Sequence, residues 1–242
     1  MASPISEFRS ALVDSDVDSL NRLLSGGFDV NQRMETGDTP FIAAVRLCSE
    51  PFVRRLLESG ADLGSQHLRS GDTALHVVCR EGMRNRVRLL LEAGADPNAL
   101  NEFNQSPLSV SLIHAEKKYV PVVHELLRHG ADPNEAGYES NLMQAAKEST
   151  VDCLRLLLQF NADVNDVRAG GTALIGAIAF KKNKIVEELL KHGADPYLRV
   201  PKDSPLERIA GMDAFEVAKL AKNMRALALL QDPGTAAPRS PM

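Results

Sequence analysis

Residues 56–64, LLESGADLG, return as LLEAGADPN at 90–98 and as LLKHGADPY at 189–197. The tripeptide at their centre, Gly60-Ala61-Asp62, also stands at Gly130-Ala131-Asp132, with a degenerate copy at Asn161-Ala162-Asp163 and a looser Gly27-Phe28-Asp29. Successive copies are 33, 34, 36, 31 and 32 residues apart. A period of that length marks a stack of small units, each burying its apolar face on the next. The period decides the fold before any chemistry is considered.

Working outward from the tripeptide, each period opens on a helix start: Thr39-Pro40-Phe41, Thr73-Ala74-Leu75, Ser106-Pro107-Leu108, Asn141-Leu142-Met143, Thr172-Ala173-Leu174 and Ser204-Pro205-Leu206. The first residue of each is of N-cap type. Its side-chain oxygen accepts from an orphaned amide of the first turn, and proline next to it loses only a donor that had no partner. Two apolar stretches follow, such as Ala43, Ala44 and Leu47, then Phe52, Val53, Leu56 and Leu57. That spacing predicts two short antiparallel helices. The glycine of each tripeptide falls just past the second helix, where a left-handed backbone ends it, and Asn161 is the next-best residue for that conformation. The aspartates recur with the period, which points to a turn role and away from acid or base catalysis.

The openings TGDTPFIAA (36–44), SGDTALHVV (70–78) and GGTALIGAI (170–178), with the closings above, resemble ankyrin repeats from about residue 5 to 230. The resemblance implies an all-α solenoid of helix pairs joined by β-turn fingers, with fingers and first helices lining a concave groove. The expected division is an N-terminal capping unit over 1–35, six repeats in one continuous array over 36–231 and a disordered tail over 232–242. The capping unit shows no recognisable opening motif. Asn31, Asn98, Asn134 and Asn165 are expected to hydrogen-bond between adjacent fingers. Only His76 keeps the histidine of the family's opening motif, so the array should be unevenly stable, with repeats three and four its weak junction. The last repeat can open at Ser204 or at Asp213. Ser204 is preferred, because it keeps the usual finger length and Glu207 then completes a capping box.

Composition agrees: the chain has 242 residues, 44% hydrophobic and 25% charged, with net charge -4 and pI near 5.9. No apolar run approaches the length of a membrane-spanning helix, and the start MASPISEFRS lacks the pattern of a secretory signal. The cytoplasm is the expected compartment, with the nucleus also open. Cys48, Cys79 and Cys153 fit buried helix positions and imply no disulfide framework.

No nucleophile elbow, P-loop or metalloprotease motif is found, and Cys79 beside His76 lacks the spacing of a zinc site. A non-enzyme without cofactor or metal is expected. The family's groove positions map here onto Arg46, Arg69, Asp72, Arg80, Glu81, Phe103, Gln105, His114, Tyr138, Arg168 and Phe180. Arginines and exposed aromatics of this kind mark protein interfaces, with Arg80 and Tyr138 expected to matter most. The implied function is an adaptor that holds a partner protein segment, the chain itself being a monomer. Two alternatives are a regulator masking a partner's active surface, and binding of RNA or phosphoinositide along a basic rim. That rim comprises Arg84, Arg86, Lys117, Lys118, Lys181, Lys182 and Lys184, although charged inter-helix loops are ordinarily plain solvated surface. On the convex back Arg54, Arg55, Arg88, Glu92, Glu125, Arg128, Glu187 and Glu188 mix signs, as solubility requires.

Overall fold

A computed structural model describes residues 3–114, 116–135 and 139–232. Tyr138 and the 233–242 part of the tail lie outside these. Among the described residues there are fourteen α-helices in seven consecutive pairs and no strand. They are α1 (Pro4–Asp14) with α2 (Val17–Ser25), α3 (Pro40–Leu47) with α4 (Glu50–Glu58), α5 (Ala74–Arg80) with α6 (Arg84–Glu92), α7 (Pro107–Leu112) and α8 (Val120–Arg128), α9 (Asn141–Glu148) with α10 (Val151–Gln159), α11 (Ala173–Ala179) with α12 (Asn183–Lys191), and α13 (Ala214–Leu220) with α14 (Met224–Gln231). No helix among the described residues is long and apolar enough to cross a membrane. The chain divides into two compact units. One runs to Val110 and takes in Arg128–Ala131; the other holds Ser111–Leu127 and continues from Asp132.

Capping explains where most first helices begin. Thr39, Thr73, Ser106 and Thr172 accept through their side-chain oxygens from the amides of Ile42, His76, Ser109 and Ile175. In the fourth repeat the cap is Ser140, one residue before the expected Asn141, and its Oγ accepts from Met143 at 3.1 Å. Asn141 is instead buried, its amide reaching the carbonyls of Asp132 and Pro133. The N-terminal unit does carry an opening motif: Ser3 caps α1 through the Ser6 amide, with Pro4 directly after it.

The last repeat corrects the preference for Ser204. Its first helix opens at Asp213, which accepts from the Glu216 amide while Glu216 accepts from the Asp213 amide, a complete capping box. Burial selects this register. Ala214, Val217 and Ala218 are buried, whereas Leu206, Glu207 and Arg208 are exposed and would give a helix from Ser204 no stripe to bury. The preceding finger is correspondingly long, closed by Val200 donating to Met212 and Gly211 donating to Val200.

Leu56, Leu90, Leu126, Leu157 and Leu189 each stand four residues before the turn glycine or Asn161, and all are fully buried. Each contributes about 2 kcal/mol of apolar burial. At the N-terminal end Phe8 stacks on Phe28 with ring centroids 5.1 Å apart and also meets Phe52. The three cysteines are buried thiols, and burial pushes that of Cys48 up. The extra residues of the third repeat form a 3₁₀ turn, Lys117–Tyr119, whose buried Tyr119 stacks on His114 at 4.4 Å.

Candidate functional site

The turn aspartates are structural. Asp29, Asp62, Asp96, Asp132, Asp163 and Asp195 each accept, through Oδ1, the amide two residues on. Where that next residue is asparagine, its side chain reaches the following repeat. Asn31 donates to Gly60 O and accepts from Asp62 N; Asn134 does the same with Asn161 and Asp163, and Asn165 with Gly193 and Asp195. Asn98 donates to Gly130 O. His76 supplies a second kind of link. Its Nδ1 accepts from the Thr73 amide, so Nε2 carries the proton and donates to Gln105 O at 2.9 Å. Burial holds this imidazole below its ordinary pKa of 6.5, keeping it neutral.

These links leave the inner surface of the N-terminal unit open. Fingers and first helices there enclose a groove of about 440 Å³, lined by Leu12, Met34, Ile42, Ala43, Arg46 and Leu47 with His67 and Ser70 of the next finger. Leu47 is 61% exposed, although its apolar spacing suggested a core position. It stands eight residues after Thr39, on the register of Glu81 and Phe180, and that register was the signal for it. Arg46 beside it is exposed and has no intramolecular partner among the described residues. A larger hollow of about 730 Å³ lies over the outer side of α1 and α2, lined by Glu7, Asp14, Asp16 and Asp29. It is the solvated outer face that a terminal repeat needs.

The remaining expected site residues separate into available and engaged groups. In the N-terminal unit Arg69, Glu81 and Phe103 are exposed, Phe103 by 67%. Arg80 is exposed too, but its guanidinium reaches Asp72 at 3.1 Å. Asp72 is buried and also accepts from Asn101 at 2.8 Å, so this pair braces one finger against the next. Gln105 is held by its backbone to Asn101 and His76. In the C-terminal unit His114 lies on Tyr119 and Arg168 is paired with Asp166 at 2.7 Å. Phe180 is 52% exposed, with Lys147 Nζ 5.4 Å from its ring centre. Of the basic rim, Arg86 is turned inward and donates to Cys48 O. Glu125, assigned to the solvated back, is buried. Among the described residues no group of three or more His, Cys, Asp or Glu side chains is placed to hold a metal ion.

The family model described as "Ankyrin repeats (3 copies)" matches residues 9–101 and 111–200. The Drosophila melanogaster transient receptor potential channel pyrexia is 37% identical over 103 residues, 41% of this chain and 10% of that protein. The Caenorhabditis elegans ankyrin repeat and KH domain-containing protein mask-1 is 28% identical over 170 residues, 69% of this chain and 6% of that protein. The human 2-5A-dependent ribonuclease is 41% identical over 68 residues, 26% of this chain and 9% of that protein. The chain thus spans a tenth or less of these relatives. Among solved structures, the ankyrin repeat domain of Bcl-3, described as a unique member of the IkappaB protein family, superposes with a TM-score of 0.80 at 25% identity, covering 96% of this chain and 99% of that domain.

Proposed function

The chain belongs to the ankyrin-repeat family, whose repeats are protein interaction modules, and on that premise we propose that it is a non-catalytic adaptor holding a partner segment in the groove of its N-terminal unit. The observation that carries the reading is Leu47, a large apolar side chain exposed on the rim of an open groove beside Arg46, which has no partner among the described residues. A stacked scaffold loses little entropy on association. A partner's apolar side chain buries against Leu12, Ile42 and Leu47, a carboxylate meets Arg46, and Phe103 extends the contact from its finger. Arg80 acts through Asp72 as a brace for this surface rather than as a contact.

The test is affinity capture with the native chain and with a Leu47→Asp, Arg46→Glu double variant whose thermal unfolding matches the native. Partners lost selectively by the variant, about a hundredfold in affinity for two central contacts, support the groove. Recovery of every partner unchanged overturns it. A second reading, masking of a partner's active surface, is favoured by the likeness to the Bcl-3 domain over nearly its whole length. Titrating the chain against the captured partner's own activity separates the two readings: masking abolishes it and simple tethering leaves it.

A further inference from the structure

In the C-terminal unit the connections within the last two helix pairs lie side by side, because the Asn223 side-chain amide at the start of α14 donates to Ile178 O near the end of α11 at 3.2 Å. One connection and its flanks carry Lys181, Lys182 and Lys184; the other carries Lys219, Lys222 and Arg225. None of the six forms an ion pair among the described residues. Acids on the same elements are engaged elsewhere: Glu187 with Lys191 at 2.7 Å, Glu188 with Arg155 at 2.8 Å and Glu216 with Arg199 at 3.0 Å. Arg225 also lies within the field of Glu187, whose carboxyl is held below its ordinary range chiefly by Lys191. In a chain of net charge -4, this edge is a local reversal of sign.

Two of the lysines occupy strained backbone. Lys181 at φ 56° and Lys222 at φ 51° stand where Gly82 sits at φ 71° in an earlier repeat. Glycine takes that conformation without cost, whereas a residue with a β-carbon is strained in it. Ser15 takes the same position in the first helix pair at φ 52°, so the position accepts a β-carbon, and in the last two pairs the residue that fills it is a lysine, which puts two charges on adjacent turns. The same connections expose apolar side chains: Met224 by 71%, with Leu220 and Phe180 beside the lysines.

We propose that this edge docks on an anionic phospholipid surface, the lysines meeting headgroup phosphates while Met224, Leu220 and Phe180 enter the interfacial layer. Point-charge ammonium groups interspersed with protruding apolar side chains suit that layer. Single-stranded nucleic acid asks instead for successive aromatic platforms backed by arginine. These connections offer one exposed aromatic and one arginine.

The test is co-sedimentation of the full chain with phosphatidylcholine vesicles, with and without phosphatidylserine, over a range of salt. Binding is expected only with phosphatidylserine, falling as salt rises. The Lys181→Gly, Lys222→Gly variant should lose about fivefold in partition for each charge removed, while its thermal midpoint rises because the backbone strain is relieved. Met224→Ser should weaken binding without changing the salt slope. Leu47→Asp, in the groove, should bind vesicles as the native chain does, which keeps this test independent of the partner reading. Absence of binding, equal binding to neutral vesicles or undiminished binding by the double glycine variant overturns the proposal. So does a single-stranded RNA oligonucleotide that binds through the same lysines and displaces the vesicles.

Discussion

At the residue scale the repeat is held by a small set of side chains with separable jobs. Gly60, Gly94, Gly130 and Gly193 all have φ between 83° and 93°, and a β-carbon built on any of them meets nothing within 4 Å. The requirement there is conformational, not steric, which is why Asn161 can stand in at φ 63°. Replacing Gly94 with Ala should therefore cost about 1 kcal/mol, and Asn161→Gly should stabilise by a similar or smaller amount. Urea unfolding of both variants checks the pair; a gain for the first or a loss for the second contradicts the account. The sequence was legible here because periodic Asp and Asn residues can be assigned a turn role from recurrence alone. Arg80 was not legible. Nothing in the spacing says that its guanidinium turns to Asp72, eight residues back, rather than to solvent.

At the element scale, helix starts followed from capping chemistry except where two candidates competed or a residue of cap type stood beside the true cap. Asp213 against Ser204 was decided by which register buries an apolar stripe, a property of the neighbouring repeat as much as of the segment itself, and Ser140 against Asn141 by the Asn141 side chain turning back to the carbonyls of Asp132 and Pro133. His76 joins α5 to the next finger and has a titratable consequence. Its folded pKa lies below 6.5 because burial disfavours the cation. The unfolded chain therefore binds the proton more readily, and the stability this residue contributes is complete above about pH 6.5 and is lost as pH falls toward the folded value. Thermal melts at successively lower pH should fall more steeply for the native chain than for His76→Gln, whose midpoint should already be lower at neutral pH by the equivalent of about 1–3 kcal/mol for the broken inter-repeat bonds. Parallel pH profiles would remove His76 as the titrating group.

At the scale of the whole molecule, the boundary between the two compact units falls inside α7, a helix of only six residues. The seven-residue α5 and α11 are hardly longer, but each lies wholly within one unit. Hydrogen exchange should accordingly be faster from α7 through the Lys117–Tyr119 turn than in α5, α6, α11 and α12, and uniform protection along the chain would contradict this. The sequence by itself determined the all-α repeat architecture, the turn positions and most helix starts, because each depends on local conformational preference repeated at a fixed interval. The family register also pointed to the exposed Phe103 and Phe180. Only tertiary structure decided which charges are free. Ion pairing and burial join residues distant in the chain: they withdraw Arg80, Arg168 and Arg86 and leave Arg46, Leu47 and the lysine edge exposed.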